Sequence, residues 1–139
     1  MIQAHAFFRN AALAFSAGAL GGLANGLLLW LLGTAGITAA LGVAVAPEIT
    51  PAWLYPRLVW GGLWGGLLLL PLLSRSPVRR GLVFGCAPAL VQLFIVFPYK
   101  LGQGMGGLAL GEMTPLLAVV VNLAWGIVAA TAYHSIRSK

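Results

Sequence analysis

Charged residues are scarce in this sequence, and its only two acids are Glu48 and Glu112. Charged side chains make up 7% of the 139 residues. A soluble domain carries about 25% charged residues, so these few cannot cover the surface of a water-soluble protein of this length. Because 60% of the residues are hydrophobic, the composition indicates a protein whose solvent is largely lipid.

The residues and motifs of common catalytic and metal sites are also missing. A single cysteine, Cys86, excludes an intrachain disulfide. The sequence has no HExxH, GxSxG, P-loop or CxxC motif. His5 and His134 are too few to form a structural zinc site, which needs four ligands. We therefore predict a non-enzymatic protein with no catalytic residue, no metal and no cofactor.

Four apolar runs fill most of the chain, each close to the roughly 20 residues that a membrane-spanning helix needs. The first run is longer than the apolar part of a signal peptide, so we expect it to be retained. Residues 33–50 could hold a short interfacial helix. The sequence thus predicts an all-α integral membrane four-helix bundle, one transmembrane domain over residues 1–139, with spans at about 11–32, 51–73, 81–98 and 115–136.

Most of the basic residues fall before the first span, between the second and third spans, and after the fourth. These alternate connections lie on one side of a four-span protein, and the positive-inside rule makes that side cytoplasmic. We therefore expect a bacterial inner-membrane protein with both termini in the cytoplasm. The net charge of +6 suits membrane lipid as a partner here, not nucleic acid, because the charges segregate by loop. The segregated residues are Arg9, Arg75, Arg79, Arg80, Arg137 and Lys139.

Two stretches resemble each other, EITPAWLYPRLVWG at 48–61 and EMTPLLAVVVNLAWG at 112–126. Threonine followed by proline is typical of a helix start, so Thr50 and Thr114 should cap helices. Upstream, residues 17–20 resemble residues 87–90. The similarity predicts two tandem helical hairpins, 1–74 and 75–139, related by a pseudo-two-fold axis along the membrane normal.

Glycines spaced four apart form stripes on the predicted helices. Residues four apart lie on one helical face, and small residues let helix backbones approach closely in lipid. The stripes could pack helices within one bundle, or could form a surface for a homodimer or another membrane subunit. The predicted packing residues are Gly18, Gly22, Gly26, Gly61, Gly65, Gly62 and Gly66.

A few polar residues lie within the spans, in the half predicted to face outward. Arg57 should face the bundle and pair with Glu48 or Glu112, because an unpaired cation in lipid is costly. The polar residues could converge on an outward-facing pocket, or each amide could simply bond a neighbouring helix. The candidate pocket comprises Arg57, Asn122, Gln92, Asn25, Glu48, Glu112 and Lys100.

Two functions fit these features. The first hypothesis is a small non-enzymatic membrane protein that acts through helix–helix association, as a homo-oligomer or as an accessory subunit of a membrane complex. The alternative is a minimal transporter or channel whose polar site surrounds Arg57.

Overall fold

The computed structural model describes residues 1–139 and is entirely helical, with 79% of the residues in helices and no strand, which confirms the all-α prediction. Five α-helices occur in chain order: α1 (Ile2–Thr34), α2 (Ile37–Ala40), α3 (Pro51–Trp64), α4 (Pro77–Val91) and α5 (Thr114–Arg137). A 3-10 segment, Gly65–Leu69, continues α3, and a π-helix, Gln92–Lys100, continues α4. A second 3-10 segment, Met105–Leu110, precedes α5.

Three helical stretches are long and apolar enough to cross a membrane, Ile2–Thr34, Pro77–Lys100 and Thr114–Arg137. Each of them contains one of the predicted spans, at 11–32, 81–98 and 115–136, in full. The stretch at 51–73 differs, because α3 has 14 residues and its 3-10 continuation has five. The chain leaves the helix at Leu70, whose ψ is 134°. Pro71 explains this end, because a proline disfavours the α conformation in the residue before it.

The long helices pack in the order α3, α1, α5, α4. Helix α1 packs against both α3 and α5, and α4 packs against α5. Helices α3 and α4 have no contact of comparable extent with each other. The row is therefore open on one side, between α3 and α4.

Glycines allow the α1–α3 contact to be made backbone to backbone. A methyl group at Gly61 would lie 2.9 Å from the Cα of Gly22, and one at Gly18 would lie 2.8 Å from the Cα of Gly65. Gly26 and Gly62 also contact the neighbouring helix, but Gly66 has nothing within 4 Å of its Cβ position. The 3-10 segment explains why Gly66 makes no contact. With three residues per turn, Gly66 is rotated away from the face on which it would lie in a continued α-helix. Gly66 is thus not a packing residue.

The α4–α5 pair uses the same type of contact. A methyl group at Gly81 would meet the backbone of Gly126, and one at Gly85 would meet that of Asn122. A buried cluster of four alanines and four large residues fills the space between the helices: Ala14, Ala17, Ala129 and Ala130 with Leu68, Phe84, Trp125 and Tyr133.

The two Thr-Pro pairs both begin helices, but only one threonine acts as a cap. The Thr50 hydroxyl accepts a hydrogen bond from the Trp53 backbone N–H at 3.2 Å, as predicted. The capping prediction is wrong for Thr114, which is the first residue of α5, while Met113 holds the cap position. Thr114 is 1% exposed and its hydroxyl has no hydrogen-bond partner. Its side chain packs against Gly107 instead.

Candidate polar cavity

A cavity of about 440 Å³ lies at the open side of the helix row, between α3 and α4, with α1 and α5 behind it. Fifteen residues from these four helices and from residues 92–101 line it. Most of the lining is apolar or aromatic, and the polar side chains are few. These are Asn25, Arg57, Gln92, Lys100 and Asn122.

Arg57 enters the cavity from α3 and is held by α1. Its Nη1 donates a 2.8 Å hydrogen bond to Oδ1 of Asn25. Its guanidinium carbon also lies 4.3 Å from the ring centroid of Trp53, one turn earlier in α3. Such a cation–π contact stabilises an arginine without neutralising its charge.

Asn25 is buried and connects three helices. Its Oδ1 accepts from Arg57 in α3, and its Nδ2 donates to the backbone oxygen of Val121 in α5 at 3.0 Å. Gly22, one turn earlier in α1, contacts the Arg57 backbone. This close approach brings α3 within reach of the short asparagine side chain. Asn25 therefore has both ends of its amide occupied by the protein.

A second amide pair occupies the α4–α5 side of the cavity. Nδ2 of Asn122 donates to Oε1 of Gln92 at 2.6 Å and to the Ala118 backbone oxygen at 2.8 Å. The Gln92 oxygen is thus already an acceptor, whereas its Nε2 group makes no hydrogen bond within the chain.

The π-helix that begins at Gln92 shapes one wall. It follows Pro88, which lies inside α4 and removes a backbone donor. Hydrogen bonds in a π-helix join residues five apart, so residues four or five apart lie near one face. The cavity-lining residues of this segment and of its two flanking positions have that spacing: Val91, Gln92, Ile95, Val96, Lys100 and Leu101. The π-helix therefore places Gln92 and Lys100 on the same wall.

Most of the unused hydrogen-bonding groups on the cavity side chains are donors, and the exception is Oδ1 of Asn122, which accepts no hydrogen bond within the chain. A guanidinium has five N–H donors, and Arg57 uses one of them, on Asn25. Lys100 adds an ammonium group, and Gln92 adds its free Nε2. No acidic residue lines the cavity. The site thus offers positive charge and donors, and the chemistry that fits it is an anion with acceptor oxygens.

Five of the seven candidate pocket residues meet in this cavity. Glu48 and Glu112 do not line it, and both are exposed. The predicted pairing of Arg57 with a glutamate is wrong, since its hydrogen-bond partner is Asn25. The reason is depth: Arg57 lies six residues, or about 9 Å, past the first residue of α3, whereas Glu48 precedes that helix.

Three tryptophans were not among the sequence candidates but line the cavity: Trp60, Trp64 and Trp125. The signal for the first two is their spacing, three and seven residues after Arg57, which places them on the same face of α3. The tertiary fold is needed to place Trp125, whose Nε1 donates to the Gly18 backbone oxygen at 3.0 Å.

No protein-family model, curated protein or solved structure matches this chain. The chemistry of the cavity residues is therefore what points to a function.

Proposed function

We propose that this chain is a four-span protein of a bacterial inner membrane that binds an anionic ligand in the polar cavity, as a minimal transporter or channel. Three of its helices are long and apolar enough to cross a membrane. The fourth span would be α3 with its 3-10 continuation. At about 1.5 Å per α-helical and about 2.0 Å per 3-10 residue, this segment reaches about 31 Å, close to the thickness of the hydrocarbon core.

The observation that carries the proposal is the set of unused donors around Arg57. A cation in a membrane protein is stabilised by a counter-ion or by polar groups, and intramembrane cations mark ligand or ion pathways. Arg57 has one amide partner and no acidic one. Lys100 lines the same cavity without a carboxylate. An anion placed between them would accept hydrogen bonds from both.

The remaining lining suggests that the anion has an apolar part. Trp60, Trp64 and Ile95 belong to the cavity wall. The volume of about 440 Å³ lies in the range of small-molecule sites, roughly 300–1,000 Å³. The gap between α3 and α4 would face the hydrocarbon chains of the bilayer. The ligand class that fits is an amphiphilic anion such as an alkyl carboxylate, which would reach the cavity from within the membrane.

We also propose that the ligand is bound without covalent chemistry, because no cysteine, serine, threonine or histidine lines the cavity and no acid or histidine is present to deprotonate the Lys100 amine. The other hypothesis, helix–helix association with a second copy or another subunit, rests on the glycine stripes. Most of its glycine stripes pack against helices of the same chain, as Gly18 does against Gly61. Gly66 is the exception.

Tryptophan fluorescence tests this proposal directly, because three tryptophans line the cavity. The purified protein in a non-ionic detergent would be titrated with decanoate, and separately with decyltrimethylammonium and decanol, which share its chain length but not its charge. We expect a saturable fluorescence change with decanoate alone. Equal responses to the three probes would refute an anion site, because they would show binding by the alkyl chain only.

A further inference from the structure

A second arginine is buried at the opposite end of the helices. Arg80 lies in the first turn of α4 and is 5% exposed. The sequence analysis grouped Arg80 with the basic residues that are expected to set the membrane topology. Its neighbour Arg79, from the same group, is exposed. Burial of one member of this basic group is not needed for topology, because exposed residues set orientation equally well.

The guanidinium of Arg80 is only partly satisfied by the protein. Its Nη2 donates to the backbone oxygens of Leu68 and Leu70, at 2.5 and 2.6 Å. These carbonyls end the 3-10 segment that follows α3, so Arg80 closes that helical end. The Nε of Arg80 is buried and has no hydrogen-bond partner. A buried donor without an acceptor is costly, which points to a further acceptor at this position.

Arg80 lines a second cavity of about 470 Å³, together with Arg137 from the end of α5. The two guanidinium carbons lie 5.7 and 5.3 Å from the ring centroid of Tyr133. Two like charges therefore share one aromatic ring, and no acidic residue lines the cavity. Asn10 and Ser74 add polar groups, while the rest of the wall is apolar: Phe7, Leu69, Leu70, Pro71 and Tyr133.

We propose that this second cavity binds the phosphate ester of an anionic phospholipid. A phosphate between Arg80 and Arg137 would accept from both guanidiniums and offset their mutual repulsion. The apolar wall would contact the first part of the acyl chains. Basic pockets between helices on the cytoplasmic side are a known form of lipid-headgroup site. This inference rests on the proposed function only for the membrane placement and orientation of the chain, not for the Arg57 cavity.

Native mass spectrometry of the purified protein in a non-ionic detergent tests this site. The probes are dioleoyl phosphatidylglycerol, dioleoyl phosphatidylcholine and sn-glycerol 3-phosphate. We expect one phosphatidylglycerol to be retained, with at least tenfold weaker binding of the zwitterionic lipid. Equal binding of the two lipids would overturn the proposal. Binding of glycerol phosphate as tight as that of phosphatidylglycerol would overturn the lipid as the source of the phosphate.

Two variants test whether lipid binding depends on a charge inside the second cavity or on any nearby charge. Arg137→Gln removes one cation of the cavity but leaves the Arg80 hydrogen bonds to carbonyls in place, whereas Lys139→Gln removes an exposed charge that does not line it. We expect Arg137→Gln to weaken phosphatidylglycerol binding about tenfold and Lys139→Gln to leave it unchanged, with both variants unfolding at the wild-type temperature. Equal losses in both variants would mean that net charge alone attracts the lipid, and would overturn the proposal.

A third variant separates this inference from the proposed function. Arg57→Gln should leave phosphatidylglycerol binding intact, because Arg57 lines the first cavity and not the second. Loss of lipid binding in Arg57→Gln would overturn the second site as a separate one. Failure of decanoate to bind the wild type would overturn the first site alone.

Discussion

Arg57 and Asn25 join α3 to α1 through a 2.8 Å hydrogen bond from Nη1 to Oδ1. An amide oxygen stabilises a guanidinium but leaves its full charge in place. A carboxylate at the same position would neutralise the charge. With Asn25 as its partner, Arg57 keeps the positive charge that the proposed anion would need, so we expect Asn25 to be a determinant of the proposed site.

Asn25→Asp tests this role. The aspartate would pair with Arg57 and compete with any bound anion, so we expect decanoate affinity to fall more than tenfold. The variant loses the Asn25 bond to Val121, at a cost of about 1 kcal/mol, but the new ion pair offsets it, and the unfolding temperature should change little. Gln103→Glu is the control, because it adds the same charge outside the cavity. Unchanged decanoate binding in Asn25→Asp would contradict the site.

Both helix pairs have a glycine–glycine backbone contact, but these contacts match the two pairs in a register different from the one that the sequence similarity predicted, and the duplication itself stays a prediction. Gly18 meets Gly61 as Gly81 meets Gly126. The later members of these pairs, Gly61 and Gly126, are also the ones aligned in the two similar stretches. The earlier members, in α1 and α4, are matched differently by the two criteria. The contacts align residue 18 with residue 81, whereas the sequence similarity of 17–20 to 87–90 aligns residue 18 with residue 88. The two matches therefore differ by seven residues, about two helical turns.

A pseudo-two-fold axis would also require α3 to meet α4 as α1 meets α5. Helices α3 and α4 lack that contact, and the cavity lies between them. The two-fold relation of whole hairpins therefore stays a prediction.

The glycine contacts predict a contrast between two substitutions in one segment. Gly61→Ala would drive its methyl group into the Gly22 backbone, and such overpacking costs about 1–3 kcal/mol. Gly66→Ala meets open space and should be neutral or stabilising by less than about 1 kcal/mol. Thermal unfolding in detergent measures both. Equal stability of the two variants would show that α1 and α3 are not in backbone contact.

The two threonines that begin helices predict a second contrast. Thr50→Val removes a capping hydroxyl and should cost about 1 kcal/mol. Thr114→Val removes a buried hydroxyl without a partner and keeps the side-chain volume, so it should be neutral or stabilising. Thermal unfolding compares the two directly. A larger loss in Thr114→Val would mean that its hydroxyl has a partner after all.

Local patterns predicted the helices well, because hydrophobic runs and Thr-Pro starts depend on near neighbours. They also identified candidate site residues, because polar residues within apolar helices are easily recognised: Arg57, Asn25, Gln92 and Asn122. Local patterns could not predict which side chains form hydrogen bonds with each other. Whether Arg57 meets Asn25 or Glu48 depends on the register between α1 and α3, which the glycine contacts set. The π-helix and the burial of Arg80 likewise depend on how α4 packs against its neighbours.

The proposed topology predicts which loops are labelled from outside the cell. In a Cys86→Ser background, Val78→Cys should resist a membrane-impermeant thiol reagent in intact cells, and Met105→Cys should react. Both positions are at least half exposed, so access through the membrane is the only difference between them. Labelling of residue 78 from outside would contradict the proposed orientation and would mean that the Arg80 cavity faces the outer leaflet.

The central claim is that Arg57 binds an anion in the cavity between α3 and α4. Calorimetric titration of decanoate into wild type, Arg57→Gln and Arg9→Gln tests it most directly, because Arg9 is an exposed arginine outside the cavity. Loss of hydrogen bonds from a charged group costs about 1.5–3 kcal/mol. We therefore predict at least tenfold weaker binding to Arg57→Gln and wild-type affinity in Arg9→Gln. The unfolding temperature of Arg57→Gln should change little, because the lost bond to Asn25 is offset by removal of a partly buried charge. Wild-type affinity in Arg57→Gln, or an equal loss in Arg9→Gln, would contradict the claim.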